Sequence, residues 1–362
     1  MTLCAAWIRI GNSDEGQELV FATDSRLRGG EAWDSGIKLF DLGRSDCLLC
    51  FAGATQRAYP LILHAGASIK SSVVWSNPRL DLHDILETLC QLFTDLCNNI
   101  ADVAQGLTLH QVRAEAEFMF GGWSWRDQKL CFWKLYYSPA VEAFTHEALH
   151  EGEAARRFIF LGDHTDEAKR ELIADLTLND KIMEGVLDME PLRVLAKMAR
   201  NQDDFPEIGG ALQVAKVYRS GNNEFFGMMW PSVMNGRPSF LGREIQRYNA
   251  PPMRFIDPDT AAFTENLPNK FYDLDSYVIG EEEVFVRRCY SNNTLKPDLK
   301  AADKDRLERI FKDRAYLDFV SLREHDAEAA AAEAAAAKAK AAEAKAAEAK
   351  VPERTTERPA DA

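Results

Sequence analysis

The chain opens with short runs in which apolar and polar positions alternate: Thr2 to Ile10, Glu18 to Thr23, Gly36 to Leu42 and Asp46 to Phe51. Gly11-Asn12, Gly29-Gly30 and Gly43 punctuate them, which predicts short strands joined by turns. From Thr55 to Lys70 the apolar period becomes helical, with Pro60 placed to kink the helix or reset its start. Leu82, Ile85, Leu86, Leu89, Leu92, Phe93, Leu96 and Ile100 then recur at helical spacing behind Asp81, giving a helix with one apolar face and an N-cap. Strands are predicted again at Ala114 to Phe120, Lys129 to Tyr137 and Arg157 to Leu161, helices at Thr165 to Leu176 and Glu190 to Arg200, and strands at Ala211 to Tyr218 and Glu224 to Trp230. Grouped strands separated by paired helices, without regular βα alternation, predict an α+β chain. The expected architecture is a four-layer αββα sandwich, two antiparallel sheets packed together and covered by helices, over residues 2–235.

Beyond Gly236 the pattern breaks at Pro251-Pro252, Asp257-Pro258 and Pro268. Residues 236–325 read as an extension of unassigned role, with a strand expected at Glu283 to Arg288 and a helix at Lys304 to Phe319. Residues 326–350 are nearly all Ala, Glu and Lys, a helix-forming composition with no apolar stripe larger than alanine, suited to a spacer or a solvated arm. Residues 351–362 are expected to be a disordered tail.

Composition narrows the function classes. An apolar fraction of 46% is enough for a large core, and a net charge of -14 with no basic cluster argues against nucleic-acid partners. No apolar run reaches membrane-spanning length and no secretory signal stands at the start, so a cytoplasmic protein without a membrane partner is expected. Seven cysteines, mostly in apolar surroundings, suit reduced core thiols. Cys47 and Cys50 have the spacing of a metal or redox pair, but they lie in a strand-like run with no second such pair to complete a site. No cofactor is expected.

The candidate chemistry lies at the amino terminus. Removal of Met1 would leave Thr2 with its hydroxyl and its α-amino group on one residue, a nucleophile and a base together. A free α-amine ordinarily titrates at about 7.7–8.0, and a nearby cation lowers that value further. Lys38 can supply the cation, provided a carboxylate such as Asp24 keeps a buried lysine charged. Taken singly, a second-position threonine, an aspartate after a strand and a strand lysine are ordinary. Their order along the chain carries the weight.

Thr2 opening the first strand, Phe21-Ala22-Thr23-Asp24-Ser25-Arg26, Gly36-Ile37-Lys38-Leu39-Phe40 and Phe51-Ala52-Gly53 resemble, in order and spacing, the proteasome β-subunit family. The likeness extends to its bacterial relatives, the ring-forming Anbu peptidases among them, and continues more weakly to about residue 230. The resemblance implies an N-terminal nucleophile hydrolase fold and a threonine peptidase or amidohydrolase activity. It further implies Thr2 as nucleophile, Lys38 as its pKa-lowering partner, Asp24 as the group holding that lysine, and the backbone N–H of Gly53 as oxyanion donor. Arg26 would brace its loop. Where the family carries a serine near the nucleophile this chain has Asp163, within Leu161-Gly162-Asp163-His164-Thr165; Anbu-like relatives also tend to be acidic there. The family's next supporting pair, an aspartate and a serine before a glycine, falls on residues 203–209, where no serine stands. Phe51 and Leu27 are the expected substrate-binding residues, Phe51 because it shares a strand face with Gly53.

Family members stack into rings or helical arrays, so a homo-oligomer acting on peptide or protein substrate is implied. With no Gly-x-x-x-x-Gly-Lys loop in the chain, an unfolding motor would be a separate ATPase. A catalytically silent scaffold subunit is the alternative. A third reading comes from His146-Glu147-Ala148-Leu149-His150, which matches the zincin pattern, but a zincin needs it within a long helix, and here Glu151-Gly152-Glu153 follow.

Overall fold

Leu3, Ala5 and Trp7 on one side of the first strand and Cys4 and Ala6 on the other are all buried, so this strand has apolar neighbours on both faces. The structure, a computed structural model, describes residues 2–10, 16–29, 31–149, 158–179, 187–232, 236–245, 253–262, 282–291, 294–296, 298–300 and 302–304, together with 306, 307, 309, 310, 331 and 335. The chain divides into two compact units, Met1–Glu265 and Asn266–Ala362.

The first unit begins with β1 (Leu3–Ile10), β2 (Gln17–Thr23), β3 (Leu27–Arg28), β4 (Ala32–Trp33), β5 (Leu39–Phe40) and β6 (Cys47–Gly53). Then come α1 (Thr55–Ser71), α2 (Leu82–Asn98), α3 (Leu109–Arg113), β7 (Ala116–Ser124), β8 (Lys129–Ser138), β9 (Ala143–Ala148) and β10 (Phe158–Gly162). It ends with α4 (Thr165–Leu178), α5 (Glu190–Arg200), β11 (Gln213–Tyr218), β12 (Asn223–Trp230), β13 (Arg237–Phe240), β14 (Arg243–Glu244) and β15 (Phe255–Ile256). One sheet has the order β10-β1-β2-β11-β12-β13-β14, with β15 parallel to β12. The other, β5-β6-β7-β8-β9, is antiparallel throughout.

Strand alternation distributes the buried side chains over three clusters. Leu49 and Phe51 of β6, Phe118 and Phe120 of β7 and Trp133 of β8 join the apolar faces of α1 and α2. Leu48, Cys50, Met119 and Phe132, from the opposite faces of those strands, meet Cys4, Ala6, Leu19, Phe21 and Ala215. Trp7, Val20, Ala22 and Val214 pack with Leu172 of α4 and Leu192 and Leu195 of α5. The Cys47 and Cys50 side chains fall into different clusters on opposite faces of β6, so this pair cannot grip one ion, and burial pushes both thiols well above the ordinary thiol range.

Asp81 caps α2 as its position suggests: its carboxylate accepts from His83 N at 3.2 Å, and it also takes Ser124 Oγ at 3.0 Å and Arg126 N at 3.1 Å. Pro60 neither ends α1 nor resets its start, because it lies on the exposed side, where the freed carbonyl can be solvated. The predicted strand from Gly36 to Leu42 shrinks to β5, and Lys38 stands in the coil before it. β9 is absent from the sequence prediction because its charged, edge-strand composition, Ala143 to Ala148, buries little beyond Phe144. β13 to β15 add to the first sheet beyond residue 235, and the first unit runs on to Glu265.

In the second unit, Glu283–Arg288 is a helix, α6, and not the expected strand. Its β-branched and aromatic residues favour a strand locally, but Phe285, Val286 and Cys289 make one helical face that buries against Tyr290 and Leu307. A hairpin, β16 (Tyr290–Ser291) with β17 (Thr294–Leu295), follows, and the described residues from 302 to 310 are helical. Apart from two helical positions, 331 and 335, the predicted Ala/Glu/Lys helix at 326–350 and the tail at 351–362 lie outside the described residues.

Buried Arg44 fastens the segment before α2. It makes a two-pronged pair with Asp46, at 2.9 and 2.6 Å, and donates to the carbonyls of Trp75, Asn77 and Leu80. Arg44→Met leaves the Asp46 carboxylate buried without its partner, and urea unfolding should show a loss of about 3–5 kcal/mol. Adding Asp46→Leu should recover part of it.

Candidate active site

Sheet register assembles the site. Cys4 pairs with Thr23 across β1 and β2, and Leu3 pairs with Gly162 across β1 and β10. Thr2, one residue before β1, therefore sits between the ends of two neighbouring strands, with Asp24 following β2 on one side and Asp163 following β10 on the other. Asp163 N donates to Thr2 O at 2.8 Å, and Thr2 N donates to Asp163 Oδ2 at 2.6 Å. This closeness needs Gly162: its φ is +107°, and a Cβ there would lie 1.9 Å from the Thr2 carbonyl oxygen.

Lys38 joins Thr2 to Asp24. Its Nζ donates to Thr2 Oγ1 at 2.6 Å and to Asp24 Oδ1 at 2.8 Å, and Thr2, Asp24 and Lys38 are 1%, 0% and 0% exposed. The Asp24 carboxylate also accepts from Leu3 N at 3.2 Å, Arg26 N at 3.1 Å and Gly209 N at 3.1 Å. An ammonium and a carboxylate removed from water are tolerable only with such pairing and additional hydrogen bonds.

Residues that the sequence reading did not single out hold this core in place. Gln213, fully buried on β11, accepts from Lys38 N at 3.0 Å and donates to Gly36 O at 2.6 Å and Ser25 Oγ at 3.1 Å, while Ser25 Oγ also meets Ala211 O. Arg26 braces its loop as expected: it grips Asp34 at 2.6 and 2.7 Å and donates to Pro206 O at 3.0 Å and Gln202 Oε1 at 3.2 Å. That grip, by hydrogen bonding first, holds the Asp34 carboxyl below the ordinary range. Gly209 passes so close that a Cβ would come within 2.5 Å of the Arg26 guanidinium carbon.

Residues 203–209, where the family's aspartate and serine would fall, are built differently. Asp203 and Asp204 are exposed, and Asp204 binds Asn201. Glu207 instead lies 3.3 Å from His164 Nε2, and His164, in a left-handed conformation at φ +57°, packs its ring edge-on against Phe205. Its own backbone N–H, and then His164, hold the Glu207 carboxyl below the usual range.

Gly53 ends β6 at φ +102°, where a Cβ would come 2.1 Å from Glu115 O. With Ala52, Ala54, Gly162, Asp163, Arg28 and Glu115 it lines a cleft of about 400 Å³. A wider concavity of about 980 Å³ shares Arg28 and Ala54 with this cleft and carries Leu27, Trp33 and Tyr59. Leu27 is thus a wall residue beside the cleft. Phe51 is not: it is fully buried toward α1 and touches Tyr59 edge-on at 5.6 Å, so Tyr59 presents the aromatic surface expected of Phe51.

The zincin pattern falls on a strand. His146 and Glu147 lie in β9, opposite Leu135 and Lys134, and successive strand residues point to opposite faces, so no helix turn brings the ligands together. His150 lies outside the described residues.

No family model and no curated protein matches the chain. Among solved structures, the helical assembly of the Anbu complex from Pseudomonas aeruginosa is similar, with a TM-score of 0.45 and 16% identity over 62% of this chain and 86% of that one. At that score and identity, the reading of the site rests on its own geometry.

Gly162→Ala should destabilise the chain by about 3 kcal/mol or more, from backbone strain and overlap with Thr2. Gly66→Ala, in open space on α1, should stabilise it by up to about 1 kcal/mol. Urea unfolding of the two variants checks the contrast.

Proposed function

We propose that this chain is a threonine-type hydrolase that cuts peptide or amide bonds through an acyl-enzyme on Thr2, once removal of the preceding residue frees the Thr2 α-amine. The observation that carries the proposal is Lys38 Nζ bridging Thr2 Oγ1 at 2.6 Å and Asp24 Oδ1 at 2.8 Å in a buried setting. On this reading the two sheets and their helices form the four-layer αββα sandwich of the N-terminal nucleophile hydrolases. The Thr2 amine takes the Oγ1 proton, directly or through a water, as Oγ1 attacks the substrate carbonyl carbon. Lys38 stabilises the developing negative charge on Oγ1, and the Gly53 N–H stabilises the oxyanion on the carbonyl oxygen, a contribution of about 10²–10³ in rate where such donors have been removed. The protonated amine then gives its proton to the leaving nitrogen, the C–N bond breaks, and water hydrolyses the Thr2 ester by the same proton relay.

On the same reading, peptide or protein substrate reaches Thr2 within a homo-oligomeric ring or stack in the cytoplasm, with a separate ATPase for folded substrates. A catalytically silent scaffold subunit is the second reading. Asp163 in the serine's place, and Asp203 and Asp204 on the surface, favour it.

Intact mass should show a chain beginning at Thr2, and an electrophilic peptide inhibitor should leave its adduct on the N-terminal peptide. Thr2→Ala should lower kcat by at least about 10⁴-fold while leaving the fold unchanged. A retained Met1, or a full biological effect from Thr2→Ala, would support the scaffold instead.

Asp163 and Lys38 act on the freed amine in opposite senses: the carboxylate favours its protonated form, the ammonium its neutral form. Asp163→Asn removes the stabilisation of the protonated form. The acid limb of the kcat/KM profile should therefore move to lower pH.

A further inference from the structure

His83 is the second residue of α2, and Asp127 and Cys131 stand on the turn and first residues of the β7–β8 hairpin. His83 Nε2, Asp127 Oδ2 and Cys131 Sγ all lie within 4.8 Å of one another. Nε2 is 2.9 Å from Oδ2, and Sγ is 3.7 Å from it. A tetrahedral zinc ion with bonds of about 2.0–2.3 Å holds its donors about 3.3–3.7 Å apart. Shifts of some tenths of an ångström, up to about one for the imidazole–thiol pair, would therefore close the cluster around an ion.

The backbone around these donors is already fixed. Asp81 accepts from His83 N and from Ser124 Oγ, and Ser124 Oγ accepts from Asp127 N at 3.0 Å, so one buried carboxylate and one hydroxyl register the start of α2 against the hairpin. The His83 ring is seated edge-on against Trp133 at 5.1 Å. Cys131 is fully buried with its side chain toward α2, whereas the His83 and Asp127 side chains are about a third exposed, at 31% and 29%. The enclosed side of the cluster is lined by protein and the outer side faces solvent, which leaves a fourth position for water.

We propose that His83, Asp127 and Cys131 form a binding site for a divalent ion of the zinc class. One imidazole nitrogen, one thiolate and one carboxylate oxygen suit zinc or cobalt and do not suit magnesium or calcium, which take oxygen donors. Binding balances simply. The Cys131 S–H bond gives way to an S–metal bond and its proton goes to solvent; His83 Nε2, which carries the proton of its 2.9 Å bond to Asp127, releases that proton to solvent and takes the metal in its place, so that the neutral ring keeps one proton, on Nδ1. The ion's two positive charges then meet one thiolate and one carboxylate, a neutral centre. Lys129 Nζ, 4.0 Å from Asp127 on a half-exposed side chain, swings aside.

The site is structural. β7 has Ala116 paired with Gly53 at one end and Ser124 at the other, and eight steps at about 3.3 Å each put the cluster about 26 Å along the strand from the cleft. An ion there would staple α2 to the β7–β8 hairpin.

Titration of the metal-stripped full-length chain with cobalt(II), and then zinc, tests this. One equivalent should bind, with a thiolate-to-cobalt charge-transfer band that Cys131→Ser abolishes. His83→Gln and Asp127→Asn, both at positions about a third exposed, should each weaken zinc binding by at least about 100-fold, the upper end of what outer-shell losses cost. Zinc should raise the Tm of the natural chain and not of these variants. Absence of the cobalt band in the folded natural chain, or zinc affinity unchanged in H83Q and D127N, would overturn the proposal.

Discussion

An ammonium group buried away from water is the constraint on which the rest of the site depends. Lys38 has no exposed surface, and the effective penalty for burying such an ion is several kcal/mol unless partners surround it. Asp24 answers that need, and Asp24, itself buried, must be supplied with donors. Leu3 N comes from β1, Arg26 N from the loop after β2, and Gly209 N from the turn before β11. Segments separated by some 185 positions in sequence are thus held to one carboxylate. Disturb any of them and the charge pair loses part of what makes it tolerable. The Thr2 hydroxyl receives its geometry as a by-product, since the same Nζ that must reach Asp24 also donates to Thr2 Oγ1.

What could be read from the sequence follows from how local each cause is. Strand alternation and helical spacing are written within ten or twenty residues, and β1, β2, β6, α1, α2, α4 and α5 stand close to where those patterns placed them. Thr2, Asp24, Lys38 and Gly53 were marked out by the order and spacing of the segments that resemble the proteasome β-subunit family, and the structure brings Thr2, Lys38 and Asp24 within hydrogen-bond reach. Gln213 was not legible, because nothing near it marks it out. Its role exists only where β11 pairs with β2 and brings its amide to Lys38 and Gly36. The same holds for Gly209, whose missing side chain matters only because Arg26 lies against it. Phe51 shows a subtler gap: the strand pattern cannot tell which aromatic of an edge-on pair is nearer the cleft, and Tyr59 on α1 takes that place.

Where local preference and packing disagreed, packing decided. Glu283–Arg288 carries strand-favouring residues and is a helix because only a helical turn puts Phe285, Val286 and Cys289 together against Leu307. His146 and Glu147 carry a helical motif and lie in a strand, because β8 offers an unpaired edge beside them. A motif states what residues could do in one conformation; the neighbouring chain determines whether that conformation occurs.

The small β3–β4 hairpin presents Leu27, Arg28 and Trp33 to the concavities beside the cleft, and its two feet are clamped together by Arg26 and Asp34. The hydrogen bonds described for Asp24 and Lys38 run instead to Leu3, Arg26, Gly209, Gln213 and Thr2. Changing the hairpin's crown would therefore alter the shape and polarity of the wall without altering the buried charge pair behind it. Inheritance can treat the two as separate modules: an interchangeable faceplate on a fixed frame, free to diversify among descendants while the frame is kept.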